Sequence, residues 1–166
     1  MKQLTSSKST QICRDTCKSK CCKSTPPALT SEDLTRISNA LGIKREEFAN
    51  NKNNCFFVKK RENNNDCYFL SDEGECKIYN YRPLDCQLFP VLFKIKRVDS
   101  SYLIKWYIWY CPLTDFFTSE FLIEKAKKII IRYLEKDSGI LFEYQSAMYG
   151  TGGYKRKHFL FEEKIP

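Results

Sequence analysis

Four cysteines fall within ten residues, in the run Cys13-Arg14-Asp15-Thr16-Cys17-Lys18-Ser19-Lys20-Cys21-Cys22. Core packing does not ask for that density of sulfur, because a single thiol fills a small apolar gap. A metal ion or cluster does ask for it, since it needs several thiolates converging from a compact stretch of chain. The short spacings bring them together at little cost in loop-closure entropy. Arg14, Lys18, Lys20 and Lys23 place positive charge beside the sulfurs, which favours the thiolate, the species that ligates. Cys21 and Cys22 are adjacent. In extended backbone their side chains point to opposite sides, so the pair is expected to serve two centres, or one centre and one structural position.

The chain has nine cysteines, at 13, 17, 21, 22, 55, 67, 76, 86 and 111. An odd count excludes complete internal pairing. The opening stretch, Met1 to Ile12, is polar and shows no apolar signal region, so a cytoplasmic location without stable disulfides is expected. Dense cysteine there points to metal or redox chemistry. The longest uncharged apolar runs, Leu88 to Phe93 and Trp106 to Tyr110, are too short to span a membrane as a helix. The formal net charge is +8, which suits lysines on solvated faces and also acidic partners such as nucleic acid or an anionic surface.

The pattern of the chain predicts an α+β fold: a small single domain with short strands and hairpins, a cysteine-rich loop or helix at the start, and a long amphipathic helix towards the end, organised around a cysteine metal site. Residues 1–12 read as a loose lead-in, 13–112 as the metal-binding core, and 113–166 as a helical extension of the same domain. Pro26 and Pro27 close the opening segment. Thr30 to Leu41 predicts a helix capped by Thr30 or Ser31, with Leu34, Ile37 and Leu41 buried and Gly42 as its stop. One or two further helical turns are expected over Ile43 to Ala49, with Phe48 inward. Cys55 to Lys59 reads as a strand. Cys67 to Leu70 and Cys76 to Tyr79 flank a hairpin or knuckle at Ser71 to Glu75. Val91, Phe93 and Ile95 alternate with Lys94 and Lys96, and Tyr102 to Tyr110 is the return strand of that hairpin. Thr118 to Lys136 predicts the longest helix, with Leu122, Ala126, Ile129, Ile130 and Tyr133 on one face. A second helix is expected over Ile140 to Tyr149, ended by Gly150, Gly152 and Gly153. Tyr154 to Glu162 reads as an edge strand.

Cys67, Cys76, Cys86 and Cys111 each sit beside a predicted strand or turn. With Cys13, Cys17, Cys21 and Cys22 they make eight thiols, enough for two four-thiolate sites, or for one cluster and a structural zinc. Cys55 stands apart, in the apolar run Cys55-Phe56-Phe57-Val58, and is expected to be a small buried hydrophobe. In Arg82-Pro83-Leu84-Asp85-Cys86 the proline fixes the backbone ahead of a cysteine. Arg82 has two roles open to it: neutralising or hydrogen-bonding a ligating sulfur, or pairing with Asp85 or Glu75. His158 is the sole histidine and lies far from the cysteines, so it reads as an edge-strand residue.

These residues, in this order, resemble the CxxCxxCC family of zinc- or iron-chelating proteins, a group that also includes the flagellin lysine N-methylases. The resemblance runs from Cys13 to Pro112. It rests on the cysteine-rich opening, the helix Leu34 to Leu41 with Phe48, Cys67-Tyr68-Phe69-Leu70, Cys76-Lys77-Ile78-Tyr79, Arg82-Pro83-Leu84-Asp85-Cys86, Phe89-Pro90 and Cys111-Pro112. The opening here is C-x3-C-x3-CC, one residue longer in each gap than the family name. The resemblance implies metal chelation, and it also raises S-adenosylmethionine-dependent methylation of protein lysines.

Three functions follow from this reading. The first is a cysteine-cluster metal-binding protein, with an iron–sulfur cluster ahead of zinc. The second is the methyltransferase, for which no glycine-rich strand–turn–helix fingerprint is present; Gly150-Thr151-Gly152-Gly153 comes late and follows no clear strand. The third is a zinc-stabilised nucleic-acid-binding module using the net charge and exposed aromatics such as Trp106, Trp109 and Tyr110.

Overall fold

The computed structural model describes residues 6–150 and 157–166. It shows the α+β class, built from helices and short antiparallel strands. The chain forms two compact units, residues 1–84 and 85–166.

The first unit opens with α1 (Ser6–Asp15) and the short α2 (Lys20–Ser24). The stretch 6–12, expected as loose lead-in, is therefore helical, and Ile12 is its buried anchor. Then come β1 (Ala28–Leu29), α3 (Ser31–Leu41), α4 (Arg45–Phe48), β2 (Ala49–Lys52) and β3 (Cys55–Val58). The three strands form one antiparallel sheet in the order β1-β3-β2. Only β3 carries a sequence pattern of its own; β1, Ala28–Leu29, is too short and β2 too polar to announce itself. Leu29, Leu34, Ile37, Phe48, Val58, Phe69 and Ile78 make the core, with Cys67 inside it and Cys22 and Cys76 packed against it.

α3 begins where the sequence places it. Thr30 caps it in a capping box: its hydroxyl accepts from Asp33 N at 3.1 Å, and the Asp33 carboxylate accepts from Thr30 N at 3.1 Å. Gly42 ends it at φ +65°, a left-handed conformation that glycine adopts without strain. Leu34 and Ile37 are buried as expected, but Leu41 is 40% exposed, because it occupies the last turn, where the helix runs out of core to cover. Asp33 itself is fully buried. It also accepts from Thr30 Oγ1 at 2.9 Å, from Leu84 N at 3.1 and 3.2 Å through its two oxygens, and from the Arg36 guanidinium. Burial pushes this carboxyl up, while the Thr30 and Leu84 hydrogen bonds and Arg36 pull against that shift. Arg36 donates in addition to Arg82 O at 3.2 Å. One side chain thus starts a helix and pins the segment Arg82–Leu84 onto it.

The second unit is a three-stranded antiparallel sheet, β4 (Val91–Val98), β5 (Ser101–Ile108) and β6 (His158–Ile165), with helices α5 (Leu84–Leu88), α6 (Leu113–Phe116), α7 (Ser119–Asp137) and α8 (Gly139–Gly150). α5 starts on the last residue of the first unit. The Phe89–Pro90 peptide is cis. The β4–β5 hairpin has the expected alternation: Phe93, Ile95, Ile104 and Trp106 are buried, whereas Lys94, Lys96 and Lys105 are exposed. Trp106, an exposed aromatic on the sequence reading, is fully buried. It alternates with Lys105 and Tyr107, and its indole N–H donates to Glu163 at 2.9 Å, which also receives Lys127 Nζ. On α7 the buried face is Leu122, Ile123, Ala126, Ile130 and Tyr133, with Ile129 only half-buried. Tyr144 of α8 stacks on Phe93, ring centroids 5.5 Å apart, and donates to the buried Asp85 at 3.0 Å.

The β4 edge is closed by side chains of α8. Gln145 receives Ile95 N at 2.6 Å and donates to Ile95 O at 3.1 Å, as a neighbouring strand would, and Tyr149 donates to Phe93 O at 2.9 Å. The glycines Gly152 and Gly153 and the start of the predicted last strand, 154–156, lie outside the described residues; the strand itself runs from His158 to Ile165. Among the described residues no helix is long and apolar enough to cross a membrane.

Removing the Asp33 carboxylate leaves two backbone donors and a hydroxyl unsatisfied and the Arg36 charge uncompensated. Asp33→Ala is predicted to cost about 3–5 kcal/mol in urea unfolding of the full chain. A loss below about 1 kcal/mol would show that this carboxylate does not hold the first unit together.

Candidate metal centre

The first unit docks its cysteine-rich opening onto the segment 67–78. After α1 the chain reverses through Lys18 and Ser19, both left-handed with φ of 53° and 55°. A non-glycine residue in that conformation costs roughly 1–2 kcal/mol, so something must hold the turn. Ser19 N donates to Cys13 O at 2.8 Å, and the buried Ser19 hydroxyl donates to Gly74 O at 2.7 Å. Arg14 pairs with Glu75 beside it. Gly74, at φ +82°, provides the tight bend of the knuckle. Cys67 N then donates to Cys22 O at 2.7 Å, which joins the two segments at the cysteines themselves.

Cys67 and Cys76 sit in the same local structure. Leu70 N donates to Cys67 O at 2.9 Å, and Tyr79 N donates to Cys76 O at 3.2 Å, so each cysteine opens a tight turn. Within each turn the backbone N–H two residues on, Phe69 or Ile78, hydrogen-bonds the cysteine sulfur. Leu70 and Cys76 form an isolated antiparallel bridge across the knuckle. Phe69 and Ile78 are buried in the core, and that is why these amides point where they do. The signal in the sequence is the repeated Cys-x-apolar pattern nine residues apart. It marks the cysteines, but it does not reveal the contribution of the two main-chain donors.

The electrostatics join a third thiol to this pair. Burial pushes the Cys67 thiol up to about 11; the Phe69 amide opposes this, and the nearby Cys76 and Cys21 add to it. Burial raises Cys76 too, with Ile78 N–H and the Arg82 charge opposing and Cys21 adding. Cys21, Cys67 and Cys76 therefore share one electrostatic neighbourhood. The Arg82 guanidinium stacks on the Tyr79 ring, 4.3 Å from its centroid, and its charge favours the Cys76 thiolate. Glu75, one of the two acids considered as its partner, pairs with Arg14. An open cleft of about 470 Å³, lined by Arg14, Glu75, Cys76, Tyr79 and neighbours, gives access to this side of the site.

The other cysteines are placed as follows. Cys13 lies on α1 and Cys17 follows it; Cys22 lies on α2; all three are half-buried. Cys86 is on α5, a single helical turn, where the sequence suggests a position beside a strand or turn. Cys111 is buried, and its carbonyl accepts from Thr114 N at 2.8 Å. Both belong to the second unit and flank the end of the β4–β5 hairpin at which Trp109 N donates to Pro90 O. Cys55 is half-buried on β3, less enclosed than a core hydrophobe, because it sits at the strand's first position opposite Lys52. His158 opens β6 and is exposed. Among the described residues, which include every cysteine, no disulfide forms, and no group of three or more His, Cys, Asp or Glu side chains is already arranged to hold a metal ion.

A family model named CxxCxxCC and described as a "putative zinc- or iron-chelating domain" matches residues 12–112, more than half of the chain. The chain belongs to the CxxCxxCC family. The match takes in the opening cluster, both cysteine turns and the segment through Cys111. An uncharacterised protein of Methanocaldococcus jannaschii is 27% identical over 130 residues, covering 72% of this chain and 69% of its own length. No solved structure matches the chain.

With the Cys67 thiol pushed up to about 11 and Cys76 raised as well, both are protonated in metal-free protein at pH 7. Metal uptake through these two thiols would displace those protons, and apparent affinity would then rise with pH across the neutral range. Adding zinc or ferrous iron to the metal-free chain in dilute buffer at pH 7 is predicted to release at least two protons per ion bound. A second prediction concerns the docking turn. Ser19→Ala removes the bond to Gly74 and is expected to cost about 1 kcal/mol, seen as faster metal loss to a competing chelator.

Proposed function

We propose that this CxxCxxCC protein holds a metal centre through Cys21, Cys67 and Cys76, completed by a thiolate from Cys13, Cys17 or Cys22, and that the occupant is an iron–sulfur cluster. The reading is carried by one observation: a buried cysteine, Cys67, and a half-buried one, Cys76, in equivalent turns, each with a backbone N–H on its sulfur, share an electrostatic neighbourhood with a cysteine of the opening run. The donor set fits such a group. Thiolates are the ligands that both zinc and iron–sulfur clusters take, and a cluster carrying several of them is net negative. Phe69 N–H, Ile78 N–H and the Arg82 guanidinium supply the hydrogen bonds and positive charge that stabilise it and tune its potential.

When bound, a cluster would supply one-electron chemistry and a covalent brace between segments far apart in sequence. The protein's own residues do the rest. Cys67 presents its sulfur from within the core and Cys76 from its rim, Ser19 and Gly74 hold the opening run against them, and Arg82 offsets ligand charge. Cys86 and Cys111 are not needed to complete this centre.

Purification without oxygen, followed by metal and acid-labile sulfide analysis, tests the proposal. A brown protein with iron and sulfide in equal amounts is expected. Colourless protein with zinc would keep the thiolate centre and overturn the cluster, and absence of both metals would overturn the centre. Cys67→Ser and Cys76→Ser are predicted to lose metal and to destabilise the chain together, since thiolate–metal binding contributes on the order of 10 kcal/mol to folding. Cys55→Ser is predicted to keep its metal.

A further inference from the structure

The outer face of the second unit's sheet carries a feature that folding alone disfavours. Lys94 of β4 and Lys105 of β5 lie directly opposite one another in the register, and both are exposed. Like charges directly across a strand pair repel and destabilise the sheet. Lys96 adds a third ammonium two residues along the same face. Glu162 of β6 pairs with Lys105 at 3.2 Å, with both side chains about half exposed, so it offsets little in water.

Aromatic rings accompany this charge. Lys94 and Lys157 both sit over the Tyr149 ring, at 4.8 and 4.5 Å from its centroid, and Lys157 lies 5.2 Å from the Tyr107 ring. Tyr107 meets Phe159 edge-on at 5.7 Å, and Phe159 is 55% exposed. An exposed phenylalanine set edge-on against a half-buried tyrosine, with Lys157 over the tyrosine ring, offers an apolar step with cations at its border. Unpaired bases stack on such a step while phosphates meet the cations. A duplex hides its base faces, and a broad sheet face presents no element shaped to enter a groove.

We propose that the outer face of the β4–β5–β6 sheet binds single-stranded nucleic acid, with Phe159 as the stacking ring, buttressed edge-on by Tyr107, and Lys94, Lys96, Lys105 and Lys157 as the phosphate-binding cations. The charge on this face is complementary to a polyanion, and the opposed lysines are relieved when one is bound. This site stands independently of the metal centre, since all its residues belong to the second unit.

Fluorescence anisotropy of the full chain with a labelled thymidine oligonucleotide of about 12 nucleotides tests it. Binding should weaken with salt. The double variant Lys94→Gln, Lys96→Gln should weaken binding and lower the logarithmic salt slope by about 1.4, about 0.7 for each phosphate of a single strand that is no longer neutralised. Phe159→Ala should weaken binding about tenfold and leave the salt slope unchanged. Lys128→Ala, on α7, should change neither. No binding at low salt would overturn the proposal. So would equal affinity for heparin and for the oligonucleotide with no effect of Phe159→Ala, because that marks adsorption of any polyanion.

Discussion

A thiolate shut away from water is costly unless a cation meets it, and the first unit is arranged around that constraint. Cys67 belongs to the hydrophobic core and Cys76 is packed against it, with burial the largest influence on each. A packing role would leave their sulfurs as neutral thiols with no need of donors. Instead each sulfur receives a backbone N–H from its own turn, Cys21 is brought within electrostatic reach, and Arg82 lends positive charge to Cys76. The amides and Arg82 favour the ionised sulfur and are outweighed by desolvation. A metal bound at these sulfurs would reverse that balance, and ligation and stability of the unit would then be two aspects of one equilibrium.

Two polar anchors hold this arrangement, each joining segments about fifty residues apart in the sequence. The buried Asp33 ties Leu84 N to the start of α3, which fixes the chain just after Arg82. The Ser19 hydroxyl ties the left-handed turn between Cys17 and Cys21 to the knuckle at Gly74. The backbone strain at Lys18 and Ser19 is thereby located between ligand candidates, where a compact reversal of the chain is needed. The second unit is built differently, from an amphipathic sheet, the two longer helices α7 and α8, and the short α5 and α6. Its β4 edge is closed by a glutamine acting as a surrogate strand, and its outer face is left charged and aromatic.

Much of this is legible in the sequence, for local reasons. The Thr30 cap, the Gly42 stop, the β4–β5 alternation and the run from Thr118 onward follow from rules that need only neighbours in the chain. So does the pool of thiols that leads to metal chelation. What cannot be read depends on tertiary structure. β1 and β2 are strands only because β3 pairs with both. Trp106 looks like an exposed aromatic until the register turns it inward onto Glu163. The α1 helix follows a polar run whose buried anchor, Ile12, is a single residue. Above all, the subset Cys21, Cys67 and Cys76 cannot be drawn from eight candidates by spacing. Its proposal as a ligand set rests on the equivalent turns at Cys67 and Cys76, whose Phe69 and Ile78 lie in the core, and on the electrostatic reach of Cys21.

Metal K-edge X-ray absorption on protein purified without oxygen reads the ligand atoms directly. A first shell of sulfur alone, at about 2.3 Å, is the predicted result, with an iron–iron distance in addition where the occupant is a cluster. A shell dominated by nitrogen or oxygen would contradict the thiolate centre.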